Sequence, residues 1–172
     1  MSNEGTDMFR WSDLGDVNFG RPNLGQNVPV LVYRLLQYTL KNVLVDEFGS
    51  DKANEIFIRG GRLAGIHFCR NLLNKSLPLE GFLSNLQKTL KDNSIGILRV
   101  ESADQDEMHF VLTVAEDLDC SGLPFENKTV CQYDEGFISG VMEEYTGGIF
   151  NAKEIDCWAS GDRVCRFDVR KE

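Results

Sequence analysis

The segment from Glu154 to Arg170, EIDCWASGDRVCRFDVR, constrains this chain more than any other. Ser160-Gly161-Asp162 is a turn cluster between two short runs of strand character, which predicts a β-hairpin. With the turn centred on Gly161, Cys157 and Cys165 face each other, and facing residues on paired strands have Cβ atoms about 4.5–5.5 Å apart. Thiols held that close can cross-link or share a metal ion. Glu154 lies just upstream, and Cys131 stands near the start of the preceding helical pattern. Three sulfurs and a carboxylate would complete a tetrahedral zinc site at Cys131, Glu154, Cys157 and Cys165. Glu154 and Cys157 are an odd number of residues apart, so on a regular strand they face opposite ways. A bulge or an early strand end is needed to bring both to one ion. Cys120, in a loop, is the substitute ligand. The alternative is a set of buried, reduced cysteines, with a cross-strand disulfide as the lesser variant.

Composition bears on that choice. Five cysteines is an odd count, and no N-terminal apolar run with a cleavage site or membrane-length apolar stretch is present, so the chain is expected to be cytoplasmic. Thiolate or metal chemistry is then favoured over a disulfide framework. A net charge of −9 without a basic patch argues against nucleic acid and against an anionic membrane surface. At 172 residues the chain fits one domain with a core of its own.

Residues 1–26 form a polar, glycine-rich arm whose Phe9, Trp11, Leu14 and Phe19 are expected to pack on the domain or on a second copy. Residues 27–172 form the domain proper. Asn27 is read as an N-cap with Pro29 in the first turn, and Val32, Leu35, Leu36, Leu40, Val43 and Leu44 then recur at helical spacing up to Gly49. A second helix follows from Ser50 to about Asn74, interrupted by Gly60, Gly61 and Gly65, where close helix packing is the expected reason. His67 on it is read as a surface or hydrogen-bonded residue. A third helix covers Leu79 to about Lys91. The period then changes to two at Leu98 and Val100, and again at Phe110, Leu112 and Val114, predicting an antiparallel hairpin with one buried face. A loop over 117–128, a fourth helix from about Thr129 to Gly147 and the final hairpin complete the order. The expected class is α+β: about four antiparallel strands packed against about four helices.

The motif Glu154-x-x-Cys157, seven residues, then Cys165-x-Phe167, with Cys131 twenty-three residues before Glu154, resembles the 4-vinyl reductase domain. Asp119-Cys120-Ser121-Gly122-Leu123-Pro124 is similar to it as well, as is Cys131 followed by Gly136-Phe137-Ile138-Ser139-Gly140. The resemblance runs from about Pro22 to Val169. That family includes sensory domains of aromatic-responsive transcription activators, a protein tied to bacteriochlorophyll synthesis and stand-alone hydrocarbon-binding proteins, and it shares a fold with subunits of the TRAPP tethering complex. The resemblance supports zinc. A closed four-ligand zinc site would hold the fold rather than catalyse.

Catalytic signals are thin: there is no phosphate loop, no zinc-hydrolase motif, no nucleophile elbow and no hydride-donor site. Phe82, Phe110, Leu112, Phe137, Met142 and Tyr145 fall on the inward faces of helices and sheet. They are the expected lining of an apolar ligand pocket, and equally what an ordinary core looks like. Phenol-sensing relatives carry a His and a Trp at about the positions of Phe82 and Phe110, so the resemblance implies a less polar ligand here. The expectation is a homodimeric binding or sensing domain for a small hydrophobic or aromatic molecule, signalling through a protein partner. An enzyme or accessory protein of tetrapyrrole metabolism, or an adaptor without ligand, are the alternatives.

Overall fold

A computed structural model describes residues 9–172, so the first eight residues of the arm lie outside the described residues. The elements are a 3-10 turn (Trp11–Leu14), α1 (Val17–Gly20), α2 (Val30–Phe48), α3 (Ser50–Leu72), α4 (Leu79–Asp92), β1 (Ile97–Asp104), β2 (His109–Ala115), α5 (Gln132–Thr146), β3 (Phe150–Asp156) and β4 (Cys165–Lys171). The strands form one antiparallel sheet in the order β1-β2-β4-β3. This is the expected α+β class, with α2 starting later than read. Pro29 takes the N-cap position that was assigned to Asn27, and it makes no side-chain cap bond.

The layers follow from the alternation along the strands. Leu98, Phe110, Leu112, Val114, Phe150, Ala152, Phe167 and Val169 are buried on one face, where α4 packs on β1 and α5 on β3 and β4. The other face carries Arg99, Glu101, Lys153 and Arg170, all exposed. Outward from the sheet, α3 lies on α5 and α2 lies on α3.

The α3–α5 contact is backbone on backbone. A Cβ placed on Gly61 or Gly65 would lie 1.9 Å from the Tyr133 carbonyl oxygen or 2.1 Å from that of Phe137. Reciprocally, a Cβ on Gly136 or Gly140 would meet the carbonyls of Ile58 and Arg62 at 1.9 and 2.1 Å. These glycines therefore serve tight helix packing, as expected. Gly60 is different, with only the Tyr133 ring at 3.9 Å.

α2 behaves in the opposite way. It buries no residue, and Leu31, Val32, Leu35, Leu36, Leu40 and Val43 are all between 50% and 75% exposed. Its periodic apolar stripe thus faces outward. Polar bonds from its other side hold it to the domain: Tyr33 Oη and Gln37 Nε2 donate to the Asp119 carboxylate (2.8 and 2.6 Å), and Arg34 Nε to the Leu118 carbonyl (2.8 Å). Lys41 donates to the Gln132 side chain.

Candidate metal centre and adjoining cavity

The second hairpin ends the way the chemistry at Glu154 demanded. β3 and β4 pair Glu154 with Phe167 and Asp156 with Arg166, so the register shifts at Ile155. That one-residue bulge turns Glu154 and Cys157 to the same side. Cys157 then caps a short 3-10 turn, Trp158–Ser160, and Gly161 completes the reversal at φ 106°, a conformation that suits glycine. Ser160 Oγ accepts from the Cys157 backbone N–H, fixing the cysteine at the strand end (3.0 Å).

The loop after β2 delivers Cys120. The Asp117 carboxylate accepts from the backbone N–H groups of Asp119 and Cys120 (2.8 and 3.0 Å), which curls the loop inward. Cys131 sits at the N-cap of α5, where its N–H donates to Glu154 Oε2 (3.0 Å). The result is four free, buried cysteines whose Sγ atoms lie within 4.8 Å of one another: Cys120, Cys131, Cys157 and Cys165. Individual Sγ–Sγ distances are 3.0 Å for Cys120–Cys165, 3.7 Å for Cys131–Cys165, 3.9 Å for Cys131–Cys157 and 4.0 Å for Cys120–Cys157.

Such a set could hold a metal ion. Hydrogen bonds from Cys120 and the other two cysteines favour the thiolate at Cys157, while their counterparts hold Cys131 and Cys165 as thiols. Four soft donors with one thiolate already stabilised form a cation site by composition. Glu154 is beside the cluster: its Oε1 is buried without a partner, and burial pushes its carboxyl up to about 8.

Of the residues proposed from sequence, the structure gathers Cys131, Cys157, Cys165 and the substitute Cys120, with Glu154 against Cys131. The six pocket residues fare differently. Phe82, Phe110, Leu112 and Met142 are at most 1% exposed, and Phe82 stacks on Tyr145 at 3.8 Å between centroids. That place is filled core; a cavity of only about 30 Å³ opens beside Leu112 and Phe137.

A larger space lies on the far side of α5. A cavity of about 550 Å³ is enclosed by Phe9, Trp11 and Leu14 of the arm, Leu63, Ala64, His67 and Phe68 of α3, and Tyr133, Asp134 and Phe137 of α5. Tyr33, Leu118 and Asp119 close its inner end. His67, read from sequence as surface or hydrogen-bonded, meets the Phe9 ring edge to face at 4.9 Å in this wall. Phe137 is the one expected pocket residue that lines it. Sequence reasoning missed the others, because a cavity between the arm and α3 leaves no periodic signature. Three carboxyl groups cluster at its inner end. Burial raises the pKa of Asp134 well above the usual range, and the charges of Asp117 and Asp119 add to it. Asp117 is pushed up to about 7, by burial first and by Asp119 second.

Comparison with known proteins accords with this architecture. Residues 110–171 match the family model of the 4-vinyl reductase domain. Three uncharacterized proteins of Methanocaldococcus jannaschii are related in sequence. One is 29% identical over 60% of this chain and 58% of its own length; a second is 29% identical over 86% and 80%; the third is 36% identical over 50% and 45%. The chain therefore spans about half the length of two of these relatives. Among solved structures, the phenol-responsive sensory domain of the transcription activator PoxR superposes with a TM-score of 0.63 at 17% identity, covering 86% of this chain and 78% of that one. A vinyl-4-reductase family protein of M. jannaschii gives 0.63 at 13% identity over 98% and 99%. A trafficking protein particle complex subunit 3 of Naegleria fowleri, covalently bound to palmitic acid, gives 0.60 at 14% identity over 82% and 96%. The resemblance seen in the sequence holds: the fold is the one shared by these proteins.

Proposed function

We propose that this chain is a small-molecule binding domain that carries a structural zinc ion and passes occupancy to a protein partner through α2. The observation that carries the reading is the cavity of about 550 Å³ under the arm, a volume within the ordinary range for ligand sites. Its walls are mainly apolar, and burial there gains roughly 25 cal/mol per Å². The phenol-responsive neighbour binds an aromatic molecule in the same fold.

Zinc is the metal that suits the cluster. A zinc–sulfur distance of about 2.3 Å implies tetrahedral edges of about 3.8 Å, and three of the four sulfur separations are 3.7, 3.9 and 4.0 Å. Cys120, Cys131, Cys157 and Cys165 would hold the ion, with Glu154 orienting Cys131 through its backbone N–H. Four protein ligands leave no open coordination position, so the ion's contribution is to folding.

The output surface is α2. Its outward apolar stripe is self-complementary, so a second copy related by a two-fold axis is the simplest cover, and cyclic dimers are the commonest closed assembly. Tyr33 links the two functions, since it lines the cavity and donates to Asp119. The exposed stripe also favours a second reading, an assembly adaptor, for which the N. fowleri trafficking subunit is the structural precedent.

Thermal melts with toluene and with phenol test the binding reading. Toluene should raise Tm more than phenol, by mass action on the folded state, and Ala64→Phe should abolish the shift by filling the cavity. If neither compound moves Tm at its solubility limit, the adaptor reading replaces this one.

A further inference from the structure

The inner end of the cavity is more specific than its walls. Asp134 lines it, yet its Oδ2 is buried and has no hydrogen-bond partner. Asp119 lines it too, and Asp117 places a carboxyl oxygen within 4.8 Å of one of Asp134's. Among the described residues none of the three makes an ion pair. The cations nearby are committed elsewhere: Arg34 donates to the carbonyls of Leu118 and Asp117 (2.8 and 3.3 Å), and Lys41 to the Val130 carbonyl and the Gln132 side chain.

Leaving a buried acceptor unsatisfied costs about 1–3 kcal/mol, more for a charged group. Natural structures retain such groups where a ligand completes them. The remaining walls point to the sign of that ligand. Phe9, Trp11, Tyr33, Phe68, Tyr133 and Phe137 surround the space with aromatic rings, whose faces attract cations. An anion would meet three carboxyl groups at the inner end. A purely apolar guest would leave Asp134 without its partner.

We propose that the cavity under the arm takes an organic ammonium ion with an apolar, aromatic-sized body, its N–H donating to Asp134 and its body packed between the arm and α3. This rests on the cavity being a ligand site, and names the chemical class that the site selects.

The experiment compares three probes of matched shape by calorimetry on the whole chain: 2-phenylethylamine, ethylbenzene and 3-phenylpropionate. Binding of 2-phenylethylamine at least tenfold tighter than ethylbenzene, with no binding of 3-phenylpropionate, is the expected result. Asp134→Asn should weaken 2-phenylethylamine at least tenfold and change ethylbenzene less than threefold. Ala64→Phe should remove binding of both, which locates them in this cavity. The wild-type comparison needs no variant, so the proposal stays open to refutation even if Asp134→Asn fails to fold. Ethylbenzene binding as tightly as the amine, or tighter, overturns the ammonium assignment and leaves the binding reading intact. No binding of any probe overturns both. Amine binding that survives Ala64→Phe places the amine elsewhere and also overturns the proposal.

Discussion

The two contacts made by α3 are opposites. Toward α5 it presents Gly61 and Gly65, and the backbones close until no Cβ fits between them. Toward α2 it meets a helix that buries nothing and is held by Tyr33, Arg34, Gln37 and Lys41 to the loops flanking Cys120 and Cys131. The first contact depends on shape and admits one arrangement. The second depends on a few polar bonds and leaves an apolar stripe open. A domain built this way can keep a fixed interior while its outermost helix responds to a metal loop, a ligand or a partner.

Removing the metal should separate the two contacts most strongly. Chelation, or Cys165→Ser, is expected to cost at least about 4 kcal/mol, roughly 8–16 °C in Tm for a chain of this size. Hydrogen exchange in partly stripped protein should show α2 amides losing protection before those of α3 and α5. Protein purified without chelator that holds no zinc by elemental analysis, or equal loss in all three helices, would break the link between the metal loop and α2.

The seam itself can be tested within a single helix turn. Ala in place of Gly normally stabilises a helix interior by about 1 kcal/mol, and Gly60→Ala should do so, since only a ring lies near. Gly65→Ala should instead destabilise by about 3 kcal/mol, because the obstructing atom is a backbone oxygen that cannot step aside. Denaturant melts of the pair decide it, and a neutral Gly65→Ala would mean the helices part easily.

On the α2 side the effects are smaller and of another kind. Tyr33→Phe removes one hydrogen bond to buried Asp119 and should cost about 1–2 kcal/mol. Leu36→Glu should leave monomer stability within about 0.5 kcal/mol, while light scattering shows the dimer converted to monomer. A wild-type mass of one chain at micromolar concentration would remove the dimer from the comparison.

The smallest effect asks whether charge also clamps the seam. Glu144 of α5 receives Arg70 of α3 at 2.8 Å and Lys75 at 2.5 Å, and its carboxyl is held down to about 2, chiefly by the Arg70 hydrogen bond. An unfolded Glu titrates near 4.3. The folded form is thus favoured above about pH 4.5, and that advantage is lost as pH falls toward 2. Both cations are largely solvated, so the gain stays below about 1 kcal/mol. Glu144→Gln should match wild type at pH 2 and fall slightly below it at pH 6; an equal gap at both values would assign the loss to packing.

Much of this was legible in the residues. Period-two alternation at Leu98, Val100, Phe110, Leu112 and Val114 located the sheet face, and the odd spacing of Glu154 and Cys157 announced the bulge found at Ile155. Cys120 could be given only second rank, because its loop has no period and the bonds of Asp117 that aim it are tertiary in effect. α2 was periodic, but period alone does not say which neighbour a stripe faces. Asp134 looks like any of the 27 acidic residues; only the arm and α3 closing over it make it distinctive. Phe82 and Phe110 kept both readings open, since pocket lining and filled core use the same residue types.

The strand order has a kinetic side. Each hairpin can zip from its own turn, but the sheet is whole only when β2 meets β4, a join between residues as distant as Phe110 and Val169. The cysteines are divided across that join: Cys120 follows β2, Cys131 caps α5, and Cys157 and Cys165 belong to the second hairpin. No half of the molecule can assemble the cluster alone. Metal capture therefore becomes a clock for the slowest, long-range step of folding, and an ion that arrives early can only wait on separate thiols until the halves meet.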